Sequence, residues 1–326
     1  MLKYITLIIA LLTIILFLAK EHFILGSVFL FSRWIFLFIL IIGVFANLKS
    51  NLKKISLTAF FAIFILLADW GYTHFSSAKS FVFNANEQTK NLTVLTFNLY
   101  FRISKPKTNI NTILEYDADL LFCQEITPEW GSILDKSLKE IYPYSKVIVL
   151  KGTHGIGIYS KYPLSDDYPL NNAYELPFAH MVTVNHPSGE IYTANAHWAS
   201  PAVAFADPPN FVGLYRKNAK QRKNQWNIIK QEMDKHSKDS PKIIAGDLNT
   251  LNYEPLYNHI IKDFVDAHSV AGTWPGLTFP NTHKLPFKTA RLDYIMLQGK
   301  IEATKTEVAE KSSSDHFAIY SEVKIM

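Results

Sequence analysis

The pattern of apolar and polar positions changes character once along the chain, near residue 91. Before that point lie three almost unbroken apolar stretches, Tyr4–Ala19, Phe23–Asn47 and Ile55–Trp70. A helix needs about 20 mostly apolar residues to cross about 30 Å of hydrocarbon; the second stretch reaches that length, and the outer two stand near the lower limit of about 17. Helices apolar on every side need an all-round apolar environment. The reading is therefore about three transmembrane helices in residues 1–74, followed by a polar, small-residue linker over 75–90. A cleaved signal peptide would account for the first stretch alone.

From residue 91 onward, short β-rich runs alternate with turns and a few helices. Strands are expected at Leu92–Phe97, Asp119–Cys123, Lys146–Leu150, Ile156–Ser160, His180–Asn185, Ile191–Ala196, Lys242–Ala245, Phe264–Asp266, Leu292–Leu297, Glu302–Val308 and Phe317–Val323. Period-two alternation and flanking turn residues carry these assignments. Helices are expected at Ile110–Tyr116, from Thr127-Pro128 to about Glu140, and at Tyr215–Lys235, the second opened by a proline at an early helical position. Many strands with few helices give an α+β class, two packed sheets with helices outside them.

Charge sharpens this division. Residues 1–79 hold seven Lys and Arg against two acids, so the chain's net +5 lies entirely there and residues 80–326 are formally neutral. A neutral domain lacks the clustered basic excess typical of nucleic-acid binders. The run Arg216, Lys217, Lys220, Arg222, Lys223 is either a solvated helix face or a contact for nucleic acid or lipid headgroups. The single cysteine, Cys123, lies in an apolar run and excludes an intramolecular disulfide. With three spans, Lys3, Lys49, Lys53 and Lys54 share one side. The positive-inside rule then puts the amino terminus in the cytoplasm and the following domain outside it.

Polar residues with catalytic capacity stand at the ends of the expected strands. Asn98 closes TFN, Gln124-Glu125 follows a buried run, and His197 follows YTANA. Asp247 and Asn249 lie in GDLN, Asp293 in RLDY, and Asp315-His316 in SDH. Any one of them alone reads as a cap or turn residue; six such motifs in one order do not.

In that order the chain resembles the endonuclease/exonuclease/phosphatase superfamily, the deoxyribonuclease-like metal-dependent phosphohydrolases, over residues 91–326. The resemblance implies a four-layered α/β sandwich, with the active site at one end between two central sheets. Phosphoester hydrolysis builds negative charge, which a hard cation neutralises through a few carboxylate oxygens while keeping several waters. Mg2+ is the expected cofactor, with Mn2+ as the alternative. Glu125 is the leading ligand, with Asn98 and, through water or a second site, Asp315. By resemblance, Asp247 orients or deprotonates the attacking water and Asn249 positions it or the phosphate. His316 faces the phosphate as an imidazolium, held in its tautomer and raised in pKa by a carboxylate; the family gives that part to Asp293. His197 is a second phosphate contact or the general acid for the leaving group.

The function expected is a membrane-anchored, metal-dependent phosphoester hydrolase, most simply a nuclease or general phosphodiesterase. The alternatives are a phospholipid or phosphoinositide hydrolase on the same site, or an inactive membrane scaffold or receptor. The expected partners are a phosphoester substrate (nucleic acid or phospholipid headgroup) and the lipid bilayer, with no protein partner. His154 stands at the mouth of a structural Gly155–Leu164 segment. Trp198, Phe205, Phe211, Trp274 and Phe279 are either a substrate wall, a membrane-facing rim or loop cores.

Overall fold

The computed structural model describes residues 2–18, 35–45, 53–75, 90–281 and 288–326. The chain divides into two compact units, Met1–Ala78 with Asn252–His259, and Lys79–Leu251 with Ile260–Met326.

The first unit holds α1 (Leu2–Leu18), α2 (residues 35–45) and α3 (Lys53–Phe75). Small residues let these helices approach closely: Ala10, Ala59 and Ala62 are fully buried with Leu40, and Gly43 lies against Thr6. Thr13 turns its hydroxyl back to the Ile9 carbonyl, 2.8 Å away, so it buries no unpaired donor. Ile8, Ile15, Phe38, Phe45, Phe60 and Phe64 point outward and stay exposed. Among the described residues no helix is long and apolar enough to cross a membrane. The three-span expectation therefore lacks support there: α1 has 17 residues, and only residues 35–45 of the second stretch are described. Linker residues 76–89 lie outside the described residues.

The second unit is built on two mixed six-stranded sheets. In chain order the first four strands are β1 (Lys90–Asn98), β2 (Leu120–Gln124), β3 (Tyr144–Ile148) and β4 (Ile156–Ser160). The next six are β5 (Leu164–Asn171), β6 (Pro177–His186), β7 (Gly189–His197), β8 (Lys242–Asp247), β9 (Val265–Asp266) and β10 (Asp293–Gln298). The last two are β11 (Ile301–Val308) and β12 (Ile319–Ile325). The first sheet runs β11-β12-β1-β2-β4-β3 and the second β5-β6-β7-β8-β10-β9.

Side-chain alternation explains the layering. Along β1, Leu92 and Val94 enter the core between the sheets, whereas Leu95 and Phe97 face the opposite way. β2 repeats this with Leu120 and Phe122 inward, Leu121 and Cys123 outward, and is buried along its whole length as a central strand should be. The second sheet supplies Val182, Val184, Ile191, Ile243, Ala245, Ile295 and Leu297 to the shared core. Helices α4 (Pro106–Tyr116) and α5 (Pro128–Leu138) cover the outer face of the first sheet through Ile110, Ile113, Trp130, Leu134 and Leu138. Thr127 caps α5 by accepting from the Trp130 amide at 3.2 Å. The short α6 (Ala202–Phe205) leads into the long α7 (Phe211–Met233), whose buried stripe Tyr215, Asn218, Arg222, Gln225, Trp226, Ile229 and Met233 has helical spacing. Of the two short helices that follow in the chain, α8 (Pro255–Ile260) falls almost wholly in the first unit and α9 (Ala267–Ala271) in the second.

Strand direction decides where the motifs meet. β1 and β2 are parallel, as are β7 and β8, so Asn98, Glu125, His197 and Asp247 all emerge at one end. β10 and β12 run antiparallel to their neighbours, so the residues at their starts, Asp293 and Asp315-His316, arrive at that same end.

Candidate active site

Asn98 links the two sheets at the catalytic end. Its Nδ2 donates to Glu125 Oε1 at 3.3 Å and to Asp247 Oδ2 at 3.1 Å, while its Oδ1 accepts from the Tyr100 amide at 3.1 Å. Glu125 is held from the other side by the Phe101 amide, which donates to Oε2 at 2.7 Å. Tyr100 and Glu125 both take positive φ, 64° and 63°. Such strained backbone persists where surrounding contacts fix it, and here it aims two catalytic-end segments at each other.

On the second sheet, Gly246 has φ of 144°, and a Cβ there would run into the Ala196 carbonyl oxygen on β7. Only glycine lets β8 lie this close to β7 and still present Asp247. Asn249 also adopts positive φ, 48°. This turns its amide back so that its backbone N–H donates to Asp247 Oδ1 at 2.9 Å and its Nδ2 to Asp247 Oδ2 at 3.2 Å. Nδ2 also reaches the Trp198 carbonyl at 3.1 Å. Asn249 thus orients the Asp247 carboxylate.

The histidines flank that carboxylate. His197 Nε2 and His316 Nε2 each lie 3.7 Å from Asp247 Oδ2. His197 Nε2 is also 3.7 Å from Glu125 Oε1. His197 Nδ1 donates to the Thr153 carbonyl at 2.9 Å, which fixes the tautomer and leaves Nε2 facing the cleft. His316 Nδ1 pairs with Asp293 Oδ2 at 2.8 Å.

Burial opposes charge on His316, but the Asp293 and Asp247 carboxylates outweigh it and push its pKa up to about 10. Burial also drives Asp247 up, to about 6; Asp293 adds to this, and the two imidazoles oppose it. Asp315 is raised by burial and, more weakly, by Glu125 and Asp293, with His316 opposing. The half-buried Asp315 carboxylate therefore lies within electrostatic reach of His316, Glu125 and Asp293. Four carboxylates thus share this end with two imidazoles.

That surplus of negative charge, with Asp293 Oδ1 buried and without a hydrogen-bond partner, suits a hard dication. Asp247, Asp293 and His316 offer ligand atoms within 4.8 Å of one another. A cation taken by those three would have to displace the His316 proton, so Glu125 and Asp315, which feel each other's charge, are the better donors.

Some positioning residues carry no motif. Thr278 Oγ accepts from the Leu292 and Asp293 amides at 3.1 and 3.4 Å, setting the start of β10. Ser314 Oγ donates to the Asn98 carbonyl at 2.6 Å and accepts from the His316 amide at 3.0 Å, tying the SDH loop to β1. Asn281 Nδ2 bonds the Ser312 and Ser314 carbonyls. Beneath the site, Asn195 joins the sheets by accepting from Gln124 Nε2 at 2.7 Å and donating to the Cys123 and Gly157 carbonyls. Arg222, placed by its neighbours in a basic run, is instead fully buried and donates to the Asn249 carbonyl. Its place on the helical stripe between Asn218 and Gln225 was the available signal.

The aromatic candidates separate. Trp198 is buried near Trp226, their rings 6.5 Å apart, and fills a loop core. Phe279 lies 4.9 Å from the His316 ring and forms part of the site wall. Trp274 and Phe205 are exposed. His154 is near enough to His197 for that charge to lower its pKa further, after burial. Cys123 is buried, and burial drives its thiol pKa far upward.

Solved structures share this architecture at low sequence identity. An endonuclease/exonuclease/phosphatase family protein from Bacteroides thetaiotaomicron is 15% identical, covering 74% of this chain and 100% of its own, with a TM-score of 0.54. The family protein from Bacteroides vulgatus is 16% identical over 73% and 100%, with a TM-score of 0.58. D. rerio TDP2, crystallised with a single-strand DNA product, is 15% identical over 72% and 99%, with a TM-score of 0.56. No curated protein matches the chain. The sequence profile described as Endonuclease/Exonuclease/phosphatase family matches residues 95–316, from within β1 to His316. The chain belongs to the endonuclease/exonuclease/phosphatase family and is a metal-dependent phosphoester hydrolase.

Proposed function

We propose that this enzyme hydrolyses phosphodiesters with Mg2+, nucleic acid being the first substrate class and phospholipid headgroups the second. The observation that carries the reading is Asp247 Oδ2 standing 3.7 Å from the Nε2 atoms of both His197 and His316. A carboxylate beside two imidazole nitrogens supplies the proton acceptor and the donors that phosphodiester hydrolysis uses.

Glu125, with Asp315, would hold the cation, which when bound would neutralise charge on the phosphoryl oxygens. Asn98, whose Nδ2 faces Glu125 and Asp247 and whose Oδ1 takes the Tyr100 amide, would position those carboxylates rather than ligate. Asp247, oriented by Asn249, accepts a proton from the attacking water as its oxygen bonds to phosphorus. His316, kept protonated by Asp293, donates from Nε2 to a non-bridging oxygen. His197, with Nδ1–H held by the Thr153 carbonyl, acts in its imidazolium form, passing the Nε2 proton to the leaving oxygen as the ester bond breaks. The single-strand DNA product in the TDP2 neighbour supports nucleic acid as the first class. An exposed apolar hairpin next to His197, Val203 and Phe205 among its residues, favours the second.

Lipid association of residues 1–75 belongs to this reading, with the catalytic unit outside the cytoplasm. The outward Ile8, Phe38, Phe45 and Phe64 support it, because water-facing helices do not normally present such faces. The test is a panel offered to the full chain in lipid nanodiscs with Mg2+ or Mn2+. It comprises single- and double-stranded DNA, RNA, phosphoinositide, sphingomyelin and bis-p-nitrophenyl phosphate. Metal-dependent turnover of DNA or RNA above the generic diester supports the first class. Turnover of lipids alone overturns that order, and turnover of none overturns the reading.

A further inference from the structure

The segment that leaves β7 after His197 ends in a hairpin whose outer surface is apolar. α6, a 3-10 turn at Pro208–Asn210 and the first turn of α7 make it. Val203 and Phe205 are each 57% exposed and Val212 is 55% exposed. The hairpin is built rather than loose: Ala204 is buried, the Phe205 and Phe211 rings stand 5.2 Å apart, and Phe211 stacks on Tyr215 at 5.6 Å. Asn218 Nδ2 donates to the Ser200 carbonyl at 2.7 Å and the Ala199 amide to Gln225 Oε1 at 3.0 Å, fastening the hairpin to α7 beside the site.

Singly exposed apolar residues are ordinary. These three share one tip, and the helix behind them is charged in one sense. Arg216, Lys217, Lys220 and Lys223 are exposed, and from Pro208 no acid occurs before Glu232. The hairpin's own acid, Asp207, is half-buried and accepts from Asn210 Nδ2 at 2.9 Å. An apolar end followed by cations is the order of environments met on leaving an anionic bilayer, from acyl boundary to phosphate layer. Nucleic acid would satisfy the cations, but the valine tips would gain nothing from it.

We propose that Val203, Phe205 and Val212 insert into the headgroup boundary of an anionic bilayer, with Arg216, Lys217, Lys220 and Lys223 on its phosphates. This seats the catalytic end of the sandwich at a lipid surface, whichever phosphoester is cleaved.

The test uses full-length chain in vesicles of equal parts phosphatidylcholine and phosphatidylglycerol. A polarity-sensitive dye is placed through Phe205→Cys or Val212→Cys, and through Ser188→Cys as the control. Buried Cys123 stays unlabelled, and Ser188 is exposed in the β6–β7 turn, at the end of the sheet away from His197. The expected result is quenching by acyl-brominated lipid at positions 205 and 212 and none at 188. Replacing all four cations by glutamine should return that quenching to its level in pure phosphatidylcholine, each cation contributing about fivefold. Equal quenching at all three positions, or none at 205 and 212, overturns the proposal. So does a dye that ignores lipid but responds to single-stranded DNA.

Discussion

Asp293 Oδ2 and His316 Nδ1 stand 2.8 Å apart with neither side chain more than 7% exposed, so the charge of one depends on the charge of the other. Removing the carboxylate leaves burial unopposed by its nearest partner. Asp293→Asn should lower the His316 pKa from about 10 and move the falling limb of the pH–rate profile down with it. A loss of about 10²- to 10⁴-fold in kcat at neutral pH should accompany this. Stability follows the same sign. The folded pKa lies above the unfolded value of about 6.5, so the pair's stabilisation is complete below pH 6.5 and is lost as pH rises through about 10. Denaturant melts of the parent and variant across that window should converge at its alkaline end.

Asp247 sets the other limb. Burial first, and Asp293 second, hold it at about 6 in the chain without cation, so the carboxylate form that accepts a proton fills as pH rises through that value. A nearby dication favours the carboxylate. The acidic limb of kcat/KM should therefore move to lower pH as Mg2+ is raised, and an acidic limb that ignores Mg2+ would separate Asp247 from the metal.

The motif residues were legible in the sequence because each closes or opens a strand, and strand direction brings such ends together. Asn98, Glu125, His197, Asp247, Asn249, Asp293 and His316 all converge. The strand pattern was likewise visible where alternation is strong, as at β4, where the expected and observed bounds coincide. β5 escaped because its Asp166-Asp167 and mostly exposed surface look like a turn, with Asp166 at a φ of 46°. What sequence could not supply was direction within polar side chains. The Asn98 amide nitrogen turns to two carboxylates, and Arg222 turns inward from a helix whose other cations are exposed.

Arg222 gives a prediction of its own. It donates to the carbonyl of Asn249, the residue whose positive φ aims two hydrogen bonds at Asp247. Arg222→Met should lower kcat by about 10- to 100-fold with a smaller change in KM, because the base is misaligned rather than removed. Arg222→Lys should recover part of the loss. Parallel Tm measurements separate this from general destabilisation.

Gly246 should tolerate no side chain. The φ of 144° is costly for any other residue, and a Cβ would meet the Ala196 carbonyl. Gly246→Ala should cost at least about 2 kcal/mol, read as a lowered Tm, and should reduce activity through the displacement of Asp247.

The most direct test of the catalytic centre is steady-state hydrolysis of a phosphodiester by the full chain, with Mg2+ and with chelator. Glu125→Ala and Asp247→Ala are run beside it, and circular dichroism confirms folding. The expected result is turnover that requires the cation and falls by at least about 10²-fold in each folded variant. Undiminished turnover in both variants, or turnover indifferent to chelation, would contradict a cation-assisted, Asp247-driven hydrolysis at this site.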